Sequence, residues 1–272
     1  MTSIHYGCQS YPWKMSQNKY VGALGHMVQT AKRAGFAGLE IELDMLGSWL
    51  DDAAGAHRVF DENGLALTAL VFHQSCRAPQ QSAQEQELLA RVLDFLAFFP
   101  GARLMVSHQA KPGDRSDDAS ALRRNRENLM ACLDQIAVRA GERGIVTAFH
   151  PNSSVNSMFR TAEDYELMFR MLAGTDMGYA ADIGHIVNGG MDPVQTLTLG
   201  RSKLRHVHFK DRDASGRWTV MGAGSIDYPT VIRYLNETGY AGWIMVEDES
   251  ERALLDPDGV VIDDGTYIAR VK

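Results

Sequence analysis

The sequence predicts an α/β fold and, within that class, a single (β/α)8 TIM barrel that spans residues 1–272. Short apolar runs alternate with longer amphipathic stretches, which is typical of a parallel sheet flanked by helices. Four of the later runs end in a metal-ligand side chain, at positions 150, 182, 208 and 247. Their spacing is close to the roughly 30 residues that one unit of such a barrel occupies. An open doubly wound sheet is the alternative, and eight units with ligands at several strand ends favour closure into a barrel.

Each element is predicted from its own run of residues. Apolar runs predict eight strands, at residues 4–9, 38–42, 66–72, 103–108, 146–150, 178–182, 204–209 and 242–247. Amphipathic stretches predict seven helices, at residues 19–34, 49–63, 84–98, 119–143, 162–172, 193–199 and 228–238. In the tail we expect an eighth helix that is short and irregular.

The ends of the predicted helices carry residues that start and stop helices. A glycine follows four of them, at positions 35, 64, 144 and 239, and an apolar residue comes next. Glycine adopts the left-handed conformation that ends a helix, so the chain can turn directly into a strand. Asp192 and Thr161 are typical N-caps, and either Ser225 or Asp227 caps the helix at 228–238.

Composition and charge restrict the class of partner. The formal net charge is −7 at pH 7, whereas binding of nucleic acid needs a face rich in Lys and Arg. The same acidic balance argues against anionic membranes. Residues 1–9 lack the basic start and apolar stretch of a signal peptide, and no apolar run reaches the ~20 residues of a membrane span. We therefore expect a soluble cytoplasmic protein without a nucleic-acid or membrane partner.

The cysteines give no sign of a disulfide or of a zinc site. Cys8, Cys76 and Cys132 are far apart in the sequence and odd in number. Their spacing shows no zinc-type or redox pair. The sequence therefore predicts reduced thiols, as is usual in the cytosol.

Side chains at the ends of four predicted strands are candidates for a metal site. His150, Asp182, His208 and Glu247 each end an apolar run, where a lone charged group costs several kcal/mol unless it is paired or metal-bound. Such strand ends converge at the carboxyl face of a barrel. This donor set suits one divalent ion among Mn²⁺, Co²⁺, Mg²⁺, Fe²⁺ and Zn²⁺. Hydrogen-bonded or ion-paired groups at a polar barrel mouth are the alternative, and His150 could instead face the substrate beside Asn152.

Two further residues near these strand ends are candidates for catalysis. His185 follows the sixth strand and could donate to the substrate or orient the ligands, the alternative being a capping or packing role. Lys210 follows the seventh strand and could stabilise an oxyanion, the alternative being a surface lysine paired with Asp211. We interpret His206 and His208 as side chains that alternate along the strand. We therefore expect His206 to point away from the barrel axis, and it is not among the predicted site residues.

The first half of the chain contributes candidates for substrate binding. Glu40 and Glu42 end the second strand, and we expect one of them to point into the mouth, with Glu40 as the candidate for substrate binding. His73 follows the third strand and His108 ends the fourth. Trp13 follows the first strand and could form an apolar wall for a sugar face. Loop structure or simple packing is the alternative for each of them.

The loop after the seventh strand does not match a known phosphate or nucleophile motif. Residues 210–225 are polar and contain several glycines, and the segment Met221-Gly222-Ala223-Gly224-Ser225 could lie across the barrel mouth as a lid. It lacks the Lys-Ser/Thr ending of a phosphate loop. The sequence has neither a Gly-x-Ser-x-Gly elbow nor a Rossmann glycine fingerprint between a strand and a helix.

Several of these motifs together resemble the xylose isomerase-like TIM-barrel family, also called the sugar phosphate isomerase/epimerase family. The resemblance is carried by four segments: Asp182-Ile183-Gly184-His185, His206-Val207-His208-Phe209-Lys210-Asp211, Gly222-Ala223-Gly224-Ser225-Ile226-Asp227-Tyr228, and Gly239-Tyr240-Ala241-Gly242-Trp243, which leads to Glu247. It covers nearly the whole chain and is strongest from His150 onward. The motifs are specific for the superfamily and not for a substrate.

The chain departs from most of this family at the end of the fifth strand, where a glutamate is usual and His150 stands here. Family isomerases and epimerases generally use two metal-bound glutamates for proton transfer, and only Glu247 is kept. The segment Phe149-His150-Pro151-Asn152 resembles the inosose dehydratase branch, and Glu247-Asp248-Glu249-Ser250 resembles keto-sugar lyases. The resemblance also implies a homodimer or homotetramer.

The resemblance and the candidate residues together predict an enzyme of carbohydrate metabolism, in particular of inositol catabolism. We expect a metal-dependent isomerase, epimerase or dehydratase that acts on a keto-sugar, keto-inositol or related polyol. A metal-bound enediolate would form by α-proton abstraction, with Glu247, His150 or a first-half histidine moving the proton. Lys210 or His185 would steady the enediolate or assist a leaving hydroxyl. Loss of the strand-five glutamate favours dehydration.

Two other classes of protein stay open at this point. One is a metallo-phosphodiesterase similar to endonuclease IV, which would need further His and Glu ligands and a basic DNA-binding face. The acidic balance of this chain argues against it. The other is a sugar-binding barrel that has lost turnover.

Overall fold

The structure is a computed structural model that describes residues 4–16 and 19–272. Its strands are β1 (His5–Gln9), β2 (Gly38–Glu42), β3 (Ala66–Gln74), β4 (Arg103–His108), β5 (Thr147–His150), β6 (Gly178–Asp182), β7 (Leu204–Phe209), β8 (Asp211–Arg212), β9 (Trp218–Thr219) and β10 (Trp243–Val246). Its helices are α1 (Tyr11–Lys14), α2 (Leu24–Arg33), α3 (Ala53–Asn63), α4 (Ala83–Leu96), α5 (Ala119–Gly141), α6 (Ala162–Leu172), α7 (Ile183–Asn188), α8 (Pro193–Leu199), α9 (Tyr228–Glu237) and α10 (Pro257–Val271). Within this described part of the chain, none of the helices combines the length and the apolar character needed to cross a membrane.

Eight parallel strands form a closed barrel in the order β1-β10-β7-β6-β5-β4-β3-β2. In this order Cys8 of β1 pairs with Val246 of β10 on one side and with Leu39 of β2 on the other. The two short strands β8 and β9 form a separate antiparallel pair. The barrel predicted from the sequence is therefore confirmed, and the open doubly wound sheet is excluded by the closure.

The predicted strands and their flanking helices are present, and three helices differ from the prediction. The eighth helix was expected to be short and irregular, and this is wrong, because α10 is regular over 15 residues. Asp256 caps α10 and Pro257 lies in its first turn, the same pair of signals that starts α8. The sequence did not predict α1 and α7, each too short to show a period. Of these, α7 begins directly after Asp182, whose carboxylate caps it.

Local signals at the helix ends act as predicted. The four glycines that follow helices, at positions 35, 64, 144 and 239, have φ angles between 64° and 82°. Thr161 and Asp192 both accept a hydrogen bond from a backbone N–H three residues later. The cap of α9 is Asp227 and not Ser225, since the Asp227 carboxylate accepts from the N–H of Thr230 at 3.1 Å.

Close backbone contacts divide the chain into two compact units, Met1–Leu70 with His206–Lys272, and Val71–Arg205. In the first unit, the rings of Phe209 and Tyr228 are buried with their centroids 4.4 Å apart. In the second unit, Tyr165, Phe169 and Tyr179 form a cluster of edge-to-face ring contacts. That residues 1–272 form one domain stays a prediction.

Candidate active site

His208 lies between two carboxylates in the first unit. Its Nδ1 is 2.7 Å from Oε2 of Glu247, which follows β10. Its Nε2 is 3.0 Å from Oε1 of Glu40 in β2. The exposed fractions of Glu40, His208 and Glu247 are 0%, 2% and 5%, so all three ionisable groups are removed from bulk water.

This arrangement controls the protonation of both partners. Burial by itself lowers the pKa of His208, but the charges of Glu40 and Glu247 and their hydrogen bonds outweigh burial and raise that pKa to about 10. Burial likewise raises the pKa of Glu40, but His208 and His206 lower it to about 2. Both carboxylates therefore favour the protonated form of the imidazole, and a ring nitrogen must be free of its proton to bind a metal.

His206 belongs to the same cluster, so the expectation that it points away from the site is wrong. Its Nε2 lies 2.7 Å from Oε2 of Glu40, and the side chain has no exposed surface. The rings of His206 and His208 have centroids 5.3 Å apart. Residues two apart on a strand share a face, because side chains alternate with a period of two. The spacing His-Val-His was itself the signal that both imidazoles lie on one face of the strand.

Lys210 is buried and bridges two glutamates. Its Nζ lies 2.7 Å from Oε1 of Glu247 and 2.7 Å from Oε1 of Glu249. The residue is 1% exposed, so the alternative of a surface lysine is excluded. Asp211, the alternative partner, instead accepts from the backbone N–H groups of the glycine-rich loop at 222 and 224. Contact between Glu249 and Lys210 was not predicted, although Glu249 lies only two residues after Glu247.

In the second unit, Asp182 organises two histidines. Its Oδ2 lies 3.5 Å from Nε2 of His150 and 3.9 Å from Nε2 of His185. Its Oδ1 accepts from the backbone N–H of His185 at 2.8 Å, which caps α7. Ser153, which the sequence did not single out, is 2.9 Å from Nδ1 of His185 through its hydroxyl. The backbone N–H of His185 therefore makes the capping contact of α7, and its side chain also lies beside Asp182.

Four buried residues at strand ends are potential metal ligands. His150 and Asp182 in the second unit, and His208 and Glu247 in the first, each offer one ligand atom. Two imidazoles and two carboxylates fit Mn²⁺, Fe²⁺, Co²⁺ or Zn²⁺, whereas Mg²⁺ prefers oxygen ligands. A cation would also offset the cost of burying the carboxylates. The donor set therefore fits one divalent ion.

A second group of potential ligands consists of Glu40, His206 and His208. It shares His208 with the first group. Because the Glu40 carboxylate contacts both imidazoles, its geometry suits an orienting role behind His208 better than the predicted contact with a substrate.

The remaining substrate-binding candidates differ in their surroundings. His73 is exposed near the end of β3. His108 is buried, with Nε2 3.4 Å from Oδ2 of Asp114, and burial lowers its pKa. Asn152 is partly buried and donates to the backbone carbonyl of His108 at 3.2 Å. Substrate contacts by His73, His108 and Asn152 stay predictions.

Trp13 does not fit its predicted role as a wall for a sugar ring. Its side chain is completely buried in the first unit. The indole N–H donates to Oδ1 of Asp258 in α10 at 2.7 Å. A fully buried indole has no face to offer a ligand, so packing, the alternative reading, is correct for Trp13.

The glycine-rich loop after β7 is held at defined points. Besides the bonds to Asp211, the N–H of Met221 donates to Oδ1 of Asp264 in α10 at 3.0 Å. Tyr228 donates its hydroxyl to the carbonyl of Lys210 at 2.7 Å. These bonds fix the segment that follows Lys210, and its closure over a substrate stays a prediction.

Comparison with known proteins identifies the family and several relatives. Residues 28–269 match the family described as xylose isomerase-like TIM barrel, as the resemblance in the sequence predicted. The chain is 28% identical over 245 residues to the rhizopine catabolism protein MocC of Rhizobium meliloti, which covers 81% of this chain and 73% of that protein. It is 28% identical over 149 residues to an inosose dehydratase of Lacticaseibacillus casei. That match spans 48% of this chain and only about half, 49%, of the dehydratase.

Solved structures share the fold at lower identity. The 3-keto-D-glucoside 4-epimerase YcjR from E. coli gives a TM-score of 0.75 at 19% identity, covering 98% of this chain and 100% of the epimerase. The IolI protein with a bound zinc atom gives a TM-score of 0.76 at 14% identity, covering 100% of this chain and 98% of IolI. At such identities the similarity shows the fold alone.

Proposed function

Because this chain belongs to the xylose isomerase-like TIM-barrel family, we propose that it is a divalent-metal-dependent enzyme that removes the proton α to the carbonyl of a keto-sugar or keto-inositol. The observation that carries the proposal is the group of buried ligands at positions 150, 182, 208 and 247. An inosose dehydratase among the proteins of similar sequence supports the substrate class. The proposed compartment is the cytoplasm, and the proposed assembly is a homo-oligomer.

The residues of the site have distinct proposed roles. His150, Asp182, His208 and Glu247 would hold the ion. When bound, a divalent ion polarises a substrate carbonyl and makes the neighbouring hydrogen more acidic. Glu247 is the proposed base, and contacts from His208 and Lys210 to its two oxygens fix its orientation.

Lys210 and His185 are the proposed acids and charge stabilisers. The buried ammonium of Lys210 supplies a fixed positive charge beside Glu247, which suits stabilisation of negative charge on a substrate oxygen. The His185 imidazole can carry a proton between Ser153 and the neighbourhood of Asp182.

The outcome that we favour is dehydration. With His150 in place of the usual second glutamate, Glu247 is the remaining carboxylate base of the pair. In β-elimination one base is sufficient: Glu247 takes the α-proton and the electron pair of the C–H bond forms the C=C bond. The β-hydroxyl then leaves as water with a proton from His185 or Lys210.

The test follows proton exchange and product together. Protein loaded with Mn²⁺, Co²⁺ or Zn²⁺ is incubated in D₂O with an inosose and, separately, a 3-keto-sugar, and the reaction is followed by NMR and mass spectrometry. Loss of the α-hydrogen signal with a product lighter by one water supports dehydration. Exchange with inversion at the carbon, or carbonyl migration, identifies an epimerase or isomerase instead.

Two variants make this test specific to the site. Glu247→Gln should abolish α-hydrogen exchange, whereas the exposed Glu163→Gln in α6 should keep the wild-type rate. Exchange that persists in a metal-loaded Glu247→Gln protein would contradict the assignment of the base. Tight binding of the substrate by wild-type protein without any exchange would identify a binding protein and overturn the proposal.

A further inference from the structure

Two thiols that are distant in the sequence meet in the second unit. Cys76 lies in the loop after β3, and Cys132 lies in α5. Their Sγ atoms are 2.7 Å apart, and the residues are 3% and 1% exposed. The sequence showed no such pair, because 56 positions separate the two cysteines.

One face of α5 holds the loop that carries Cys76. Asn128 donates its side-chain N–H to the carbonyl of Arg77 at 2.8 Å, and Gln135 donates to the carbonyl of Pro79 at 2.8 Å. Asn128, Cys132 and Gln135 follow one another at the three- and four-residue spacing of one helix face. The loop is thus bonded to α5 on both sides of the sulfur contact, which keeps the two thiols opposite each other.

The same loop leaves room for a small reagent. A cavity of about 480 Å³ is lined by both cysteines together with Ser75, Arg77 and Glu85. Cys76 has a φ of 44°, a conformation that residues other than glycine rarely adopt. Such a conformation persists only where the surroundings hold it, and here the bonds to α5 do so.

We propose that Cys76 and Cys132 are a modification site at which a small-molecule disulfide, such as oxidised glutathione, converts the two thiols into an intramolecular disulfide. The sulfur atoms need to approach by less than about 1 Å to reach bonding distance. Cys8 lies in β1 of the first unit and is not part of this pair.

The reaction balances without a further reagent. One cysteine thiol loses its proton, and its sulfur attacks the glutathione disulfide, which forms a mixed disulfide and releases one glutathione. The second cysteine sulfur loses its proton and displaces the other glutathione. Two electrons pass from the cysteine pair to the reagent, and the two protons end on the two released glutathione thiols. Dithiothreitol reverses the reaction by the same exchange.

The surroundings make this oxidation slow at neutral pH. The hydrogen bond with Cys132 and burial both raise the pKa of the Cys76 thiol, so little thiolate is present. We therefore expect the rate to rise with pH. Once formed, the link constrains the chain between residues 76 and 132 in the unfolded state, which should raise the midpoint of thermal unfolding by roughly 5–10 °C.

The experiment treats the folded, full-length protein with oxidised glutathione and counts free thiols, intact mass and linked peptides. The expected result is loss of two hydrogen atoms in mass, one remaining thiol at Cys8, a linked pair of peptides that contain Cys76 and Cys132, and reversal by dithiothreitol. Cys8→Ala should form the same link, whereas Cys132→Ala and Cys76→Ala should not. The rise in the midpoint of thermal unfolding should be absent from Cys76→Ala and from Cys132→Ala.

Two results would overturn this proposal. One is a stable glutathione adduct on Cys76 or Cys132 in place of the link. The other is a folded wild-type protein that keeps all three thiols at every pH tested, while the urea-unfolded chain is oxidised under the same conditions. Neither result depends on the enzymatic activity.

Discussion

The carboxylate of Glu40 lies 3.0 Å from Nε2 of His208, and neither the glutamate nor the contact is exposed to solvent. The other ring nitrogen of His208 faces Glu247. A carboxylate behind a metal-binding histidine fixes the ring and makes the imidazole a better donor. Glu40 is therefore placed to orient His208, with His206 holding the same carboxylate from a second direction.

We predict that Glu40→Gln weakens metal binding by roughly 10–100-fold without removing any proposed ligand. Glutamine keeps the shape of the side chain but loses the charge that orients and polarises His208. Affinity is measured by competition with a chelator. Glu62→Gln, at an exposed position in α3, is the matched control and should bind like wild type. Unchanged affinity in Glu40→Gln would show that Glu40 has no part in the metal site.

Asp182→Asn separates the metal-binding role of Asp182 from its capping role. Asparagine also caps helices, so it can still accept from the N–H of His185 and retain α7. The loss of negative charge should lower the bound metal from about one ion per chain to nearly none. Metal content is measured by elemental analysis after reconstitution with Mn²⁺, Co²⁺ or Zn²⁺.

The control for this variant is Asp117→Asn, which lies at an exposed position and should retain the ion. Circular dichroism should show the same fold for both proteins. If the wild-type protein binds no metal after reconstitution, the four strand-end residues belong to a polar binding pocket and not to a metal site.

The carboxylate of Asp164 should make the stability of the second unit depend on pH. It accepts hydrogen bonds from Arg115, Arg126 and the backbone N–H groups of Arg160 and Thr161. Burial alone raises its pKa, but these donors outweigh burial and lower the pKa below its ordinary value of 3.8. A carboxylate with a lowered folded-state pKa contributes stability that is fully present above pH 3.8 and is lost as the pH falls through the folded-state value.

We therefore expect Asp164→Asn to lower the free energy of unfolding by about 2–4 kcal/mol at pH 7. The gap to wild type should narrow as the pH falls below 3.8. Urea unfolding at a series of pH values measures both quantities. Asp94→Asn removes an exposed carboxylate that pairs with Arg143, and should cost less than about 1 kcal/mol. A gap that does not change with pH would contradict the role of the Asp164 charge.

Gly265 tests the packing of α10 against the end of α2. A Cβ atom at this position would lie 2.1 Å from the backbone oxygen of Ala34, which cannot move without shifting the helix end. Gly265→Ala should therefore destabilise the protein by about 1–3 kcal/mol. Gly141→Ala in α5 makes the same change where nothing lies within 4 Å, and should stabilise by about 0.5–1 kcal/mol. Thermal unfolding compares the two, and equal shifts would contradict the close approach at Gly265.

The barrel could be predicted because its signals are local. Strand β6 is a continuous apolar run that ends at Asp182, a polar residue that the chain cannot bury cheaply. Glycines with positive φ mark the returns from helix to strand. The tail helix α10 also has a local start signal, Asp256 before Pro257.

Residues of the candidate site could be predicted from the sequence only where the end of a strand determines their position. The prediction for His206 is wrong because residues two apart on a strand share a face, and no local rule links the loop residue Glu249 to Lys210. The position of Trp13 after β1 predicts a place at the mouth, but its indole bonds to Asp258 in α10, which is far away in the sequence.

The sequence by itself determined the alternation of strands and helices, the family, and the strand ends that carry His150, Asp182, His208 and Glu247, because each of these depends on neighbouring residues along the chain. Only the tertiary structure decided that Glu40 joins His206 to His208, and that Cys76 meets Cys132. Such contacts join residues that are distant in the sequence, and packing selects them through burial, charge and hydrogen bonding, none of which leaves a periodic pattern.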